Sequence, residues 1–223
     1  MSCDGSPFSQ IKDMKTMKDT KYYLKYLSEV IHTTVLATVD DNSLPVTCAV
    51  DIMDYDENSL YFLTAKGKSL YHRLVSREFV SLTALQGTDT IHSIAVSVRG
   101  KVREIGNQRI NDLFEKNKYM YEIYPTEESI HALTVFQIYE VSGEWFDLSK
   151  KPIERVSFTF GGAEKTESGY FVTDNCIGCE SCILVCPQKC IDMIDNKAVI
   201  RQNNCLRCGN CAEICPVGAV VKR

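Results

Sequence analysis

Eight cysteines near the C-terminal end of the chain have the spacing of iron–sulfur ligands. They form two runs that each read Cys-x2-Cys-x2-Cys-x3-Cys-Pro, and the second run repeats the first 29 positions later, from 176 to 205. Three thiolates at such short intervals wrap one face of a 4Fe-4S cubane, and the fourth ligand must come from further along the chain. The runs then exchange their last ligands, which predicts two clusters. One would be held by Cys176, Cys179, Cys182 and Cys215, and the other by Cys205, Cys208, Cys211 and Cys186.

Zinc and disulfides are the alternatives for so many cysteines. Zinc prefers two ligand pairs separated by a longer spacer, which these runs do not have. Nine of the eleven cysteines fall at or after position 176, and eight of the nine follow metal-ligand spacing. This usage favours a reducing compartment over a disulfide framework. The ninth, Cys190, matches Ala219 in the repeat and is predicted to be a core side chain.

With all eight ligands present, the segment from about Tyr170 to Arg223 resembles bacterial-type two-cluster ferredoxins. The resemblance covers about 54 residues. It implies one-electron transfer at low potential. It also implies a small α+β fold of two short hairpins and two short helices.

The composition of the 223 residues is that of an ordinary globular protein, with 44% hydrophobic and 24% charged residues and a net charge of -4. The length suits one medium domain and a small one. Basic residues are scattered, which argues against a nucleic-acid partner. No apolar run approaches the roughly 20 residues of a membrane helix, and the polar residues 1–17 lack the apolar centre of a signal peptide. We therefore expect a cytoplasmic protein with no membrane partner.

Before the cysteine runs, segments with β-type patterns predominate. The predicted strands are residues 33–39, 45–52, 60–64, 78–85, 91–105 and 133–146, and the predicted helices are residues 19–30, 68–77 and 108–118. Many short strands with few helices indicate a barrel, which closes its own edges.

The order of three motifs in these segments resembles the pyridoxamine 5'-phosphate oxidase-like split barrel. They are Thr-Thr-Val-Leu-Ala-Thr-Val at 33–39, Leu-Pro-Val-Thr at 44–47 and Leu-Tyr-Phe-Leu-Thr-Ala-Lys-Gly-Lys-Ser at 60–69. The resemblance covers roughly residues 20–148 and implies a mostly antiparallel barrel that binds FMN at a homodimer interface. The expected fold class is thus α+β. It comprises a split barrel at 1–148, a linker at 149–169 and a ferredoxin-like domain at 170–223.

The same resemblance implies which residues bind the flavin. The strand Cys48, Ala49, Val50, Asp51 and Ile52 would run past the isoalloxazine ring, and Thr64, Lys66, Lys68 and Ser69 would meet the phosphate. A Lys-Gly-Lys-Ser segment before a helix supports the second assignment, since it combines cations, a hydroxyl and free amides at a positive dipole end. A solvated strand-to-helix turn is the plainer interpretation of that segment. A deazaflavin and haem remain alternatives to FMN.

Two departures from the family pattern limit the chemistry. Leu63 stands where nitroimidazole-reductase-like members carry a histidine, and residues 144–147 lack the groups that hold the substrate phosphate in pyridoxamine-phosphate oxidases. Vitamin B6 oxidation is therefore not expected. His92, at the start of a predicted strand, is the candidate proton donor, because the region offers few others.

Iron–sulfur clusters pass single electrons, whereas most organic reductions need two electrons and protons, and flavin converts between the two. The combination predicts an oxidoreductase of an anaerobe, in which an external redox protein supplies electrons through the clusters to FMN. A small quinone, nitro or flavin-like compound would be the acceptor. The competing hypothesis is a non-catalytic electron-transfer protein that serves a partner protein. A redox sensor would need a bistable element, which the sequence does not reveal.

Overall fold

The computed structural model describes residues 19–223. Its main feature is one curled sheet of eight strands. These are β1 Thr33–Val39, β2 Pro45–Asp51, β3 Asp54–Tyr55, β4 Leu60–Ala65, β5 Phe79–Gln86, β6 Ile94–Gly106, β7 Leu133–Asp147 and β8 Glu154–Phe160. The order is β2-β1-β5-β6-β7-β4-β3 with β8 beside β7, and every pairing is antiparallel.

Alternating side chains give this sheet one buried face. In β1 and β5 every second residue points inward, and Leu36 and Leu82 are at most 2% exposed. The core is completed by Phe62, Phe136 and Trp145, which are almost wholly buried. The helices and turns of this part cover the barrel. They are α1 Thr20–Lys25, a π-helical turn Tyr26–Ile31, α2 Ser69–Arg77, a 3-10 turn Thr90–His92, α3 Ile110–Lys116, α4 Met120–Ile123 and α5 Glu127–Ile130.

All six predicted barrel strands are present, each within three residues of its predicted bounds. The short elements β3, α4 and α5 were not predicted, since two to four residues are too few to show a period. The predicted linker 149–169 contains β8, which pairs with β7 along its whole length. Phe158 of this strand enters the core and stacks on Tyr23 at 4.4 Å. The barrel sheet thus continues to Phe160.

The C-terminal part is a small α+β unit. Its elements are β9 Tyr170–Val172, α6 Ser181–Leu184, β10 Ile191–Ile194, β11 Lys197–Ile200, a 3-10 turn Gln202–Asn204, α7 Asn210–Glu213 and β12 Val220–Lys222. This confirms the expected α+β fold class and its two short helices.

The expectation of two hairpins is wrong for one of the two strand pairs. β10 and β11 form a hairpin, and its turn residues Asp195 and Asn196 have the positive φ angles that a tight two-residue turn requires. β9 instead pairs with β12, on the far side of both cysteine runs. Because β9 begins the cysteine unit and β12 ends it, the two strands meet only when the whole unit is folded.

No helix within residues 19–223 is long and apolar enough to cross a membrane. The predicted features of residues 1–17 lie outside the described part of the chain.

Candidate functional site

The eight cysteines of the two runs lie in two groups. One pocket is lined by Cys176, Cys179, Cys182 and Cys215. A second is lined by Cys186, Cys205, Cys208 and Cys211, together with Cys190. Each group contains three thiols from one run and one from the other, and all are free thiols. These groupings match the two sets predicted from the spacing, although their role as ligands stays a prediction.

Within residues 19–223, the structure shows no group of three His, Cys, Asp or Glu side chains that could hold a single metal ion. A 4Fe-4S cubane binds each thiolate at a different iron, so its four ligands surround a space and do not converge on one point.

Backbone turns shape both cysteine runs in the same way. Gly178 and Glu180 flank Cys179 with φ angles of 69° and 61°, and Arg207 and Gly209 flank Cys208 with 59° and 91°. The matched positions share this conformation even though glycine and a larger residue exchange places between the repeats. Such left-handed residues change the direction of successive amides, as a loop around a compact anionic group requires.

Amide groups near the last cysteine of each run donate to its sulfur. The Cys190 amide lies 3.4 Å from the Cys186 sulfur, and the Ala219 amide lies 3.2 Å from the Cys215 sulfur. Cys190 and Ala219 occupy equivalent positions in the two repeats, and each is 1% exposed. Hydrogen bonds to sulfur stabilise a thiolate and tune the potential of a bound cluster.

The thiols deeper in the pockets favour the protonated form. Burial raises the pKa of Cys211 to about 11, and it also raises the pKa of Cys182 above its usual range. Such thiols become thiolates when a metal supplies positive charge between them. The buried thiols and the amide donors together fit an iron–sulfur cluster in each pocket.

The second pocket adjoins the barrel. Arg155 of β8 donates from Nε to the Cys205 carbonyl at 3.1 Å. Glu144 of β7 accepts from Arg155 and, at 2.6 Å, from Arg207 of the cysteine unit. Asn204 adds a 2.7 Å bond to the Ile153 carbonyl. The Glu144 carboxylate thus binds one guanidinium from each part of the molecule. Arg155, which is one of the two, also binds Cys205 of the second pocket.

The predicted ring-binding strand lies at one end of the sheet order. The Ile52 amide donates to the His32 carbonyl at 2.8 Å, which places the backbone groups of the even-numbered residues toward β1. The amides and carbonyls of Ala49 and Asp51 therefore face the opposite edge, where β2 has no strand partner within residues 19–223. Of the five predicted residues, these two present free backbone groups, while Val50 and Ile52 are buried in the core.

The predicted phosphate site is the turn between β4 and α2. Thr64 is buried, and its hydroxyl has no hydrogen-bond partner in the described part of the chain. No side chain caps the first amides of α2, and a Cβ at Gly67 would meet open space. The amides of Lys66 and Lys68 are already bonded to the carbonyls of residues 132 and 65. An orphaned hydroxyl and uncapped helix amides fit an anionic group here.

Arg73 joins this site, although the sequence analysis missed it. Burial raises the pKa of the Cys48 thiol, whereas the charges of Arg73 and Lys68 lower it, so both cations lie near Cys48. Arg73 also donates to the Thr38 hydroxyl at 2.8 Å. Its position four residues after Ser69, on the same face of a predicted helix, was the available signal.

His92 lies in the exposed 3-10 turn between β5 and β6. Its Nδ1 atom is 2.8 Å from Asp89 of the same turn. This contact fixes the ring locally, and the role of His92 as a proton donor stays a prediction.

Comparison with known proteins identifies both parts of the chain. A family model described as pyridoxamine 5'-phosphate oxidase matches residues 24–144, and one described as a 4Fe-4S dicluster domain matches residues 175–219. No curated protein matches the chain.

Solved structures resemble the barrel. A NimC/NimA-family protein from Clostridium acetobutylicum is 13% identical with a TM-score of 0.50, covering 63% of this chain and 91% of that one. A heme binding protein from Mycobacterium smegmatis is 12% identical with a TM-score of 0.50, covering 66% and 62%. At such identities the likeness concerns the fold alone.

Removal of the charge on Glu144 should loosen the cysteine unit from the barrel. In Glu144→Gln, Arg155 and Arg207 would face each other without the carboxylate between them, so we expect faster hydrogen exchange near residues 204–207 and faster proteolysis within 161–169. Glu140→Gln is the matched control, because Glu140 lies on the same strand and pairs at 2.6 Å with Lys101, a residue of the barrel's own β6. Equal exchange rates in the two variants would show that the bridge does not hold the units together.

Proposed function

This chain belongs to the pyridoxamine 5'-phosphate oxidase family, and we propose that it is an FMN- and iron–sulfur-dependent oxidoreductase that reduces a small acceptor. Single electrons would pass between 4Fe-4S clusters and FMN. The observation that carries the proposal is the direct contact between the two parts. Arg155 of the barrel binds the carbonyl of Cys205, which lines the second thiol pocket.

In this proposal two clusters supply one-electron transfer at residues 170–223. Cys176, Cys179, Cys182 and Cys215 would hold one cluster, and Cys205, Cys208, Cys211 and Cys186 the other. The amides of Cys190 and Ala219 would stabilise the thiolates of the two exchanged ligands. A reducing, cytoplasmic setting is part of the proposal, since the ligands must remain free thiols.

FMN would supply the conversion between one- and two-electron chemistry in the barrel, which we assign to residues 1–148 extended by β8. The free backbone groups of Ala49 and Asp51 would bind the ring edge. Lys68, Ser69 and the uncapped amides of α2 would bind the phosphate, with Arg73 adding charge and Thr64 adding its unpaired hydroxyl. Lys66 and Cys48 would border the same site.

The two clusters would have different roles. The cluster of the second pocket would exchange electrons with the barrel, because Arg155, Glu144 and Arg207 hold that pocket against it. At the first pocket, the lining residues Ile177 and Val217 are 58% and 41% exposed. Exposed apolar side chains beside a thiol pocket favour contact with an external redox protein there.

A homodimer with FMN at its interface is also part of the proposal. The outward face beside β2 carries the exposed apolar residues Val35, Phe79 and Leu85. Neighbouring strands β1 and β5 supply them, so they form one face that a second copy of the chain would cover.

The second candidate function is a non-catalytic electron-transfer protein. It is favoured by Leu63, a partly buried aliphatic residue at the position where reductase-like members carry a histidine. A quinone, nitro compound or flavin would not react at the barrel of such a protein.

Reduction followed by mixing with a quinone distinguishes the two functions. We expect protein purified without oxygen, loaded with FMN and reduced with dithionite to transfer electrons to the quinone faster than the same protein without FMN. Rapid-mixing absorbance spectroscopy would follow the flavin and the clusters. Protein that neither contains nor takes up flavin would contradict the proposal, and rates independent of FMN would support the carrier.

Paired cysteine substitutions test the exchange of ligands. Because Cys182 and Cys215 line one pocket, Cys182→Ser with Cys215→Ser should remove one cluster and leave the other. Cys182→Ser with Cys186→Ser should remove both. Iron analysis and paramagnetic spectra of the reduced protein give the count, and Cys190→Ala is the control that should keep both clusters. Loss of both clusters in the Cys182/Cys215 variant, with loss of only one in the Cys182/Cys186 variant, would mean that each run holds its own cluster.

Loss of either cation at the β4–α2 turn should weaken FMN binding. Lys68→Ala and Arg73→Ala should each raise the dissociation constant roughly 10- to 100-fold, the effect of one charge-assisted hydrogen bond. Quenching of FMN fluorescence by the flavin-free protein would measure it. Arg77→Ala is the matched control, because Arg77 lies on the same helix but donates to the Asp40 carbonyl at 3.0 Å. Unchanged affinity in both test variants would remove this turn from the phosphate site.

A further inference from the structure

Three ionisable side chains form a hydrogen-bonded chain at the end of β2. The Tyr119 hydroxyl donates to Asp51 Oδ2 at 2.8 Å, and His32 Nε2 lies 2.9 Å from the Tyr119 oxygen. His32 Nε2 is also 3.6 Å from Asp51 Oδ2. The residues come from the start of β1, the end of β2 and the segment before α4, so only the fold brings them together.

The directions of these bonds determine where the protons lie. His32 Nδ1 is 3.1 Å from the Ser28 carbonyl, which can only accept, so Nδ1 carries a proton. Tyr119 has a single proton, and it points to Asp51. The Tyr119 oxygen can then accept from His32 Nε2, which completes every bond when both ring nitrogens are protonated. The arrangement therefore accommodates one transferable proton on His32.

Neighbouring groups stabilise these hydrogen bonds among His32, Tyr119 and Asp51. Thr33 donates to the second oxygen of Asp51 at 2.6 Å, which leaves Oδ2 for Tyr119. Burial raises the pKa of Tyr119, and the bond to Asp51 raises it further, so the phenol keeps its proton at rest. Glu29, on the π-helical turn, pairs with Lys25 and accepts from Tyr55, so it makes no contact with His32, Tyr119 or Asp51 in these bonds.

The backbone at His32 is strained, and its neighbours hold it on both sides. Its φ and ψ angles of 63° and -67° are rare for a residue with a Cβ, and it directly follows a π-helical turn. The His32 amide donates to Leu27 at 3.0 Å, and its carbonyl accepts from Ile52 at 2.8 Å. Strain that is stabilised in this way often marks a residue that must face a particular direction.

The three hydrogen-bonded side chains lie between solvent and the proposed ring site. The side chains of His32 and Asp51 are 28% and 33% exposed, so a proton from water can reach them. The backbone of Asp51 also lies on the free edge of β2, where the proposed FMN ring would bind. Tyr119 donates to the side chain of this same residue, so its hydroxyl lies beside the site.

We propose that Tyr119 is the proton donor to the acceptor, that His32 replaces its proton, and that Asp51 positions the phenol. This inference rests on the proposed function. The acceptor gains two electrons, supplied one at a time by an external low-potential reductant, and two protons. One proton leaves Tyr119 when its hydroxyl turns from Asp51 to the acceptor and His32 Nε2 transfers its own proton to the same oxygen, and the second comes from water. Neutral His32 then regains a proton from water, so the site returns to its first state.

Two acceptors with different proton requirements test this role. A quinone needs protons for its reduction, whereas ferricyanide takes one electron and none. We expect Tyr119→Phe and His32→Gln to slow quinone reduction roughly 100-fold or more, the range for loss of a proton donor, and to leave ferricyanide reduction unchanged. Tyr121→Phe is the matched control, since Tyr121 lies in the same segment and donates to Glu115 at 3.0 Å.

The outcomes separate this inference from the proposed function. Wild-type protein that reduces ferricyanide but never the quinone would contradict the proposed function. A wild-type quinone rate that both variants retain would overturn only the proton donor. Variants that lose both reactions would show a structural role and would also overturn it.

A second measurement needs no flavin. Nitrogen-15 NMR of the flavin-free full chain would report the hydrogen bond of His32 Nε2 through the chemical shift of this nitrogen. Tyr119→Phe keeps the ring and removes only the oxygen bonded to Nε2, so this chemical shift should change at constant pH. Tyr121→Phe should leave it unchanged. No difference between the two variants would overturn the assignment of His32 as the proton source.

Discussion

The pairing of β7 along both of its edges is the interaction on which the arrangement of this molecule depends. One edge carries β6, and the other is shared by β4 and β8. β4 leads into the turn that holds Lys68, while β8 carries Arg155 to the second thiol pocket. Fifteen residues of one strand therefore fix both candidate redox sites in the same body. The hydrogen-bond ladder leaves little freedom for either site to move alone.

The thiol pockets illustrate a different constraint, in which a binding site is stable only with its ligand. Four cysteines line the first space and five line the second, and burial raises the pKa of the innermost thiols. A metal group would supply the positive charge that these sulfurs lack, so its binding free energy would also stabilise the fold. Left-handed residues lie beside Cys179 and Cys208, and the amide of one of them, Arg207, donates to the Cys205 sulfur at 3.3 Å. A bound metal group would offset the cost of this conformation on the same grounds.

The features that could be predicted from the sequence are those with a local signal. Cysteine spacing gave the two thiol groups, and alternating apolar residues gave six strands of the barrel. β8 shows the limit, because residues 156–160 alternate, while the charges and the glycine pair at 161–162 predict a linker. The contact among His32, Tyr119 and Asp51 depends on distant segments meeting in space. Tyr119 and Asp51 are 68 positions apart, so no local pattern could join them.

The pairing of β9 with β12 has a consequence for how such a protein can be assembled from parts. Gly169 and Arg223 exchange two backbone hydrogen bonds of 3.0 and 2.9 Å, so the cysteine unit is entered and left at neighbouring points. A unit whose two ends meet can be joined to another protein through one connection, or placed within a surface loop, without distorting its interior. The bonds from Arg155, Asn204 and Arg207 would then be among the contacts that adapt such a portable module to this particular barrel.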